Sequence, residues 1–143
     1  MIAQRLPQTS RLRGKGHLDR GAVAVEMALV SPLLVAMIVG IIDFSRVFNA
    51  EIQLSQAARE GVRLASLQLG TLNTGAVQAR AVLAAPNPAF GAALPLGNVT
   101  VIGCAAPPDA TAVATVTVTY QFHGIFYMKN STLTQTAVMR CGG

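Results

Sequence analysis

Glu26 is a carboxylate surrounded by alanine, valine, methionine, leucine and isoleucine: from Ala22 to Ile42 the chain reads AVAVEMALVSPLLVAMIVGII, with no other ionisable side chain. An ion in hydrocarbon costs about 3 kcal/mol on insertion scales, so a carboxylate there either snorkels to the nearby polar interface or meets a cation. The chemistry open to it is charge pairing. Asp43 and Arg46 close the same stretch at i, i+3 spacing, where an ion pair is sterically available; they read equally well as two interfacial side chains or as a subunit contact. Cys104 and Cys141 stand far apart with no second pair and no histidine beside them, which argues against zinc. A disulfide between them would add about 4 kcal/mol on the chain-entropy model in an oxidising compartment, the alternative being two buried thiols. His17 and His123 share no nucleophile or carboxylate, and no phosphate loop or metal spacing is present. The residues therefore predict no enzyme, no metal, no cofactor and no small-molecule substrate.

The formal charge is +5, yet five of the eleven basic residues (Arg5, Arg11, Arg13, Lys15, Arg20) precede residue 21, with Asp19 among them. From residue 22 onward six basic residues face five acidic ones. A folded part with so little net charge and few aromatics has no footprint for phosphate or base contacts, so nucleic acid is not an expected partner.

The elements that carry these residues follow from the patterning. Residues 1–21 are a basic leader, where Pro7, Gly14 and Gly16 predict no packed element. Residues 22–42 form a helix of about 30 Å, matching a bilayer core. The run passes into a helical pattern without a small-residue cleavage site, which favours an anchor over a cleaved secretory signal. Pro32 is tolerated in a spanning helix and predicts a bend near Ser31. The basic cluster before the span places the N-terminus in the cytoplasm and the rest outside it.

Residues 43–70 keep helical periodicity, with Val47, Ala50, Leu54, Ala57, Ala58, Val62, Ala65 and Leu69 on one stripe and Asn49, Gln53, Gln56, Glu60 and Arg63 on another face. Gly70 is a natural stop. In the remaining region, 71–143, TGAVQARAVLAA predicts a short helix capped by Thr74. NVTVIGC, ATVTVTYQF and STLTQTAVMR change to a period of two, with Ala114, Val116, Val118, Tyr120 and Phe122 pointing one way. The expected fold class is α+β: a long N-terminal transmembrane helix that continues as an amphipathic helix and packs on a small antiparallel three-stranded sheet.

Arg20, Gly21 and then Glu26, opening an apolar helix after a basic leader, resemble the processing site of type IV prepilins and pseudopilins. The stretch RGAVAVEMALVSPLLVAMIVGIIDFSRVFNAEIQLSQAAREGVRLAS is similar to the TadE-like family of tight-adherence (Flp-type) pilus assembly proteins, with Glu26, Pro32, Gly40, Asp43, Arg46, Phe48 and Ala57 to Arg63 in matching places. Two departures stand out: Met27 where Flp-type prepilins often carry tyrosine, and the terminus RCGG where an acidic residue after the arginine is more typical.

The resemblance implies a pilin-like fold and cleavage by a prepilin peptidase between Gly21 and Ala22, leaving Glu26 as the fifth mature residue. It also implies subunit assembly through Glu26, Asp43 and Arg46, with other pilins or pilus assembly proteins and the membrane as partners. The function expected is a minor pilin-like subunit in the bacterial inner membrane, with the C-terminal region periplasmic or extracellular. The rival readings are an uncleaved single-pass scaffold or envelope anchor and, further off, a membrane-tethered enzyme.

Overall fold

The computed structural model describes residues 16–104, 111–125 and 130–142. The leader up to residue 15 lies outside the described residues, and residues 16–20 are described by their backbone alone. Helix α1 spans Gly16–Leu67 and helix α2 Thr74–Ala84; 3-10 turns at Pro88–Phe90 and Leu96–Asn98 lead to strands β1 (Val99–Ile102), β2 (Val113–Phe122) and β3 (Ser131–Arg140). The chain divides into two compact units between Ile38 and Val39.

In the first unit α1 begins at Gly16, inside the leader where no packed element was expected. Once a helix is nucleated each added residue gains a hydrogen bond, so the helix extends back through residues 16–20. Pro32 lies inside the helix. Every residue from Gly21 to Val35 is exposed.

The second unit is built on the amphipathic stripe. Val47, Ala50, Leu54, Ala57, Ala58, Val62 and Ala65 are buried, recurring every three or four residues as one helix face requires. Facing them are the alternate residues of β2, Ala114, Val116, Val118, Tyr120 and Phe122, all buried as the period of two predicts. Burying a side chain of valine size or larger in such a layer contributes about 1.5–3 kcal/mol. Leu69 departs from the stripe: α1 ends at Leu67, and Leu69 is exposed in an isolated bridge to Cys104. Gly70, with φ 84°, then turns the chain in a conformation glycine adopts freely.

The sheet is a meander in the order β1-β2-β3, antiparallel throughout, with Val99 opposite Val118 and Thr117 opposite Thr136. The outward side chains of β2 make cross-strand contacts, Thr117 with Thr136 at 3.1 Å and Thr132 donating to Gln121 at 3.2 Å. Helix α2 is capped by Asn73 rather than Thr74: the Asn73 carboxamide oxygen accepts the Ala76 N–H at 3.0 Å. Both residues are good caps; Asn73 is favoured here because the Gln68 side chain also accepts its backbone N–H, at 2.7 Å. Val77 and Ala81 bury α2 in the core, while Gln78 donates to the Val99 carbonyl and Arg80 pairs with Glu60 of α1 at 3.2 Å.

Cys104 and Cys141 form a disulfide with Cα atoms 5.8 Å apart. Beyond it the Gly142 N–H donates to the Ser66 carbonyl at 3.0 Å, so the exit of β1, the exit of β3 and the end of α1 meet at one place.

Candidate functional site

Glu26 sits on α1 in the first unit, exposed, with Val23 and Val30 above and below it at helical spacing and Met27 beside it. Nothing within 4 Å would meet a Cβ on Gly21, so the Gly21–Ala22 backbone is uncrowded. The helix from Gly21 onward contains a window long and apolar enough to cross a membrane, and none of that window is buried. A core helix of a water-soluble protein has similar composition but hides its apolar side chains; here Leu29, Leu33 and Met37 all lie open. This N-terminal helix is long and apolar enough to cross a membrane, and Glu26 is the one charge on it between Ala22 and Ile42.

Where the apolar segment ends, in the second unit, the two polar residues are tied into the fold. Asp43 is only 1% exposed, and its carboxylate accepts the Ile125 N–H at 3.3 Å. Arg46 places its guanidinium carbon 5.6 Å from the Phe122 ring centroid, a cation–π arrangement, and its Nη1 is buried with no hydrogen-bond partner among the described residues. The two residues thus hold the end of β2 and the start of the β2–β3 connection against α1. Sequence reasoning missed Phe122 and Ile125 as members of this cluster. Contacts separated by 82 residues leave no trace in local spacing.

Further along α1, Arg59 and Arg63 are exposed and Glu60 half-buried, as expected for a solvated face, with Glu60 engaged by Arg80. Gly61 is buried where α1, α2 and the sheet converge; a Cβ there would stand 3.2 Å from Val116 Cγ1 and 3.3 Å from Ala81 Cβ. Close approach at Gly61 therefore serves packing within the chain. Among the described residues no group of three histidine, cysteine or acidic side chains comes together.

A protein-family model described as TadE-like protein matches residues 21–63. The TadE-like segment opens at Gly21, contains Ala22, Glu26, Asp43 and Arg46, and closes at Arg63, two residues after the buried glycine. It runs through the exposed apolar helix and through most of the stripe that packs on β2. The match covers less than a third of the chain. No curated protein and no solved structure matches the chain.

Proposed function

We propose that this protein is a minor pilin-like (pseudopilin) subunit that assists assembly or function of a tight-adherence pilus by packing its apolar helix among others in the inner membrane. The observation that carries this reading is the exposed, uncovered apolar helix with a single carboxylate, Glu26, within the TadE-like segment. A helix of this kind needs lipid or other helices around it, and a carboxylate in it needs a cation.

Residues 1–21 are the cytoplasmic leader, a reading supported by the basic cluster. A prepilin peptidase cuts between Gly21 and Ala22, and the new Ala22 amine of one subunit pairs with Glu26 of another, satisfying two charges that hydrocarbon would otherwise penalise. Asp43 and Arg46 contribute to assembly by holding α1 against β2 and the start of the β2–β3 connection within the second unit. The mechanism is association, with no bond chemistry in this chain. Mass spectrometry of protein recovered from membranes tests the reading: the expected N-terminus is Ala22. Chains that all retain residues 1–21 in cells with an active prepilin peptidase would overturn it in favour of an uncleaved scaffold.

A further inference from the structure

The two edges of the sheet are finished differently. Strand β1 is four residues long, and its Val99 carbonyl accepts the Gln78 side chain of α2 at 2.9 Å. Strand β3 is ten residues long, pairs with β2 without a bulge, and meets no further strand among the described residues. An edge of that length is commonly blunted by lysine, proline, an inward charge or a bulge. From Ser131 to Met139 β3 has none of these, and its first charge is Arg140.

The free edge runs beside α1. At one end of β3 Ser131 is opposite Phe122, over which Arg46 stacks; at the other, Met139 accepts the Ser66 hydroxyl at 3.3 Å. The helix from Arg46 to Ser66 spans about 30 Å and the strand from Ser131 to Met139 about 26 Å, so the two keep level along their length. Midway, Gln135 lines an open groove of about 340 Å³ together with Phe48, Glu51, Ile52, Ser55 and Arg59 of α1. Leu133, Gln135 and Ala137 of β3 are only half-buried, whereas Val116, Val118 and Tyr120 on the same face of β2 are fully buried. Phe48 and Ile52 are exposed. On this side the sheet is one strand short of covering the helix.

The charges in the groove say what a fourth strand would carry. Glu51 and Arg59 make no hydrogen bond or ion pair among the described residues. They stand about 12 Å apart along α1. Residues i and i+4 of a strand share a face and lie about 13 Å apart, so one strand along the groove meets both with a cation and a carboxylate at that spacing. Apolar side chains two positions before and after the cation then fall against Phe48 and Ile52.

We propose that the β3 edge and this groove are a docking site for an extended segment of a partner protein. The segment adds to the sheet as a fourth strand and carries, on the face towards α1, an apolar residue, a basic residue, an apolar residue and an acidic residue at alternate positions. The backbone ladder supplies affinity and the alternate side chains supply selection. The β3 strand of a second copy is uncharged from Ser131 to Met139 and offers nothing to Glu51 or Arg59. This site is additional to the pilus-subunit reading and depends neither on cleavage after Gly21 nor on Glu26.

The test uses the isotope-labelled full chain in detergent micelles and two end-blocked synthetic peptides, TVTKTVTET and TVTKTVTKT. With the first, the amide resonances of β3 and of Glu51 to Arg59 should shift while those of β1 stay in place. Alternate β3 amides should exchange about ten-fold more slowly. Wild type should bind TVTKTVTET about three-fold more tightly than TVTKTVTKT, and Arg59→Glu, at an exposed position and with thermal unfolding matched to wild type, should invert the preference. Absence of any shift at about 1 mM peptide overturns the site. Shifts confined to α1, with β3 exchange unaltered, overturn strand addition. Equal affinity for the two peptides in both proteins overturns the charged segment as the occupant. Protection of the β3 edge without peptide, in a species that dimerises as protein concentration rises, assigns the edge to a second copy and overturns the partner. Since every readout is made in micelles, an uncleaved N-terminus or normal piliation in a Glu26→Gln strain overturns the pilus-subunit reading without touching this one.

Discussion

Gly61 of α1 and Val116 of β2 approach so closely that a Cβ on the glycine would lie 3.2 Å from the Val116 Cγ1 methyl. Helix, sheet and α2 share that point, since Ala81 stands 3.3 Å from the same position. The core there is filled by the Val116 and Ala81 side chains, which a larger side chain on Gly61 would have to displace.

Gly61→Leu is therefore expected to destabilise the second unit by about 1–3 kcal/mol through overpacking. Gly61→Ala gains up to about 1 kcal/mol of helix propensity against a contact a few tenths of an ångström too short, and should change stability little. Thermal unfolding followed by circular dichroism on the full chain in detergent checks both. A Gly61→Leu protein as stable as wild type would mean that the three elements are not packed as described.

The disulfide yields a second expectation. Cys104→Ser with Cys141→Ser frees the loop between β1 and the chain end, and the double variant should lose up to about 4 kcal/mol. In wild-type protein both thiols should resist alkylation under denaturing, non-reducing conditions and label fully after reduction. Full labelling before reduction would exclude the bridge.

Much of this fold was legible because its signals are local. Alternation in ATVTVTYQF placed the buried face of β2, STLTQTAVMR coincides with β3, and the spacing from Val47 to Ala65 marked the helix face that meets the sheet. Glu26 was legible because a carboxylate in an apolar run is conspicuous by composition alone. What escaped depends on residues brought together by the fold. Phe122 under Arg46 and Ile125 on Asp43 are contacts across most of the chain, and Leu69 left the stripe because α1 stops at Leu67. The turn at Ala89 and Phe90 escaped for a different reason: PNPAFG signals a turn, but left-handed backbone at two residues other than glycine is no preference of those residue types.

That strain can be measured directly. Glycine adopts φ 58° without penalty, whereas an L-residue pays about 1–2 kcal/mol, partly offset by the greater freedom glycine has when unfolded. Phe90→Gly in detergent should thus be neutral or more stable by about 1 kcal/mol, although it removes a phenylalanine. A loss of more than about 2 kcal/mol would show that the Phe90 ring packs within the chain, since that is the cost scale of emptying a buried aromatic site.

The Asp43 contact makes a prediction of opposite sign. Asp43→Ala empties a buried position and removes the charged acceptor of the Ile125 N–H, and losing a hydrogen bond to a charged group costs about 1.5–3 kcal/mol. Asp43→Asn keeps an acceptor of the same shape and should lose less. The ordering wild type, then Asn, then Ala in unfolding temperature is the expected outcome, and equal stability for Ala and wild type would remove Asp43 from the structural core.

Glu26 separates the assembly role from mere tolerance of a charge near the membrane surface. Glu26→Gln preserves shape and hydrogen-bonding capacity while removing the charge that, on the proposed docking role, an Ala22 amine on a neighbouring subunit would need. If the carboxylate only snorkels, the substitution eases insertion and leaves piliation at the wild-type level, because burying a neutral amide costs less than burying an ion. On the docking role, Glu26→Gln still inserts and is still cut after Gly21, yet pili are lost or the protein no longer co-purifies with its pilin partners. The expected outcome is that loss, read as pilus count and co-purification at matched protein level. A Glu26→Lys strain supplies the stronger contrast, since it sets two cations against each other and should fail even where Gln is partly tolerated. Wild-type pili and partner recovery in the Gln strain would reject the docking role and leave an uncleaved or passive anchor as the better account of this helix.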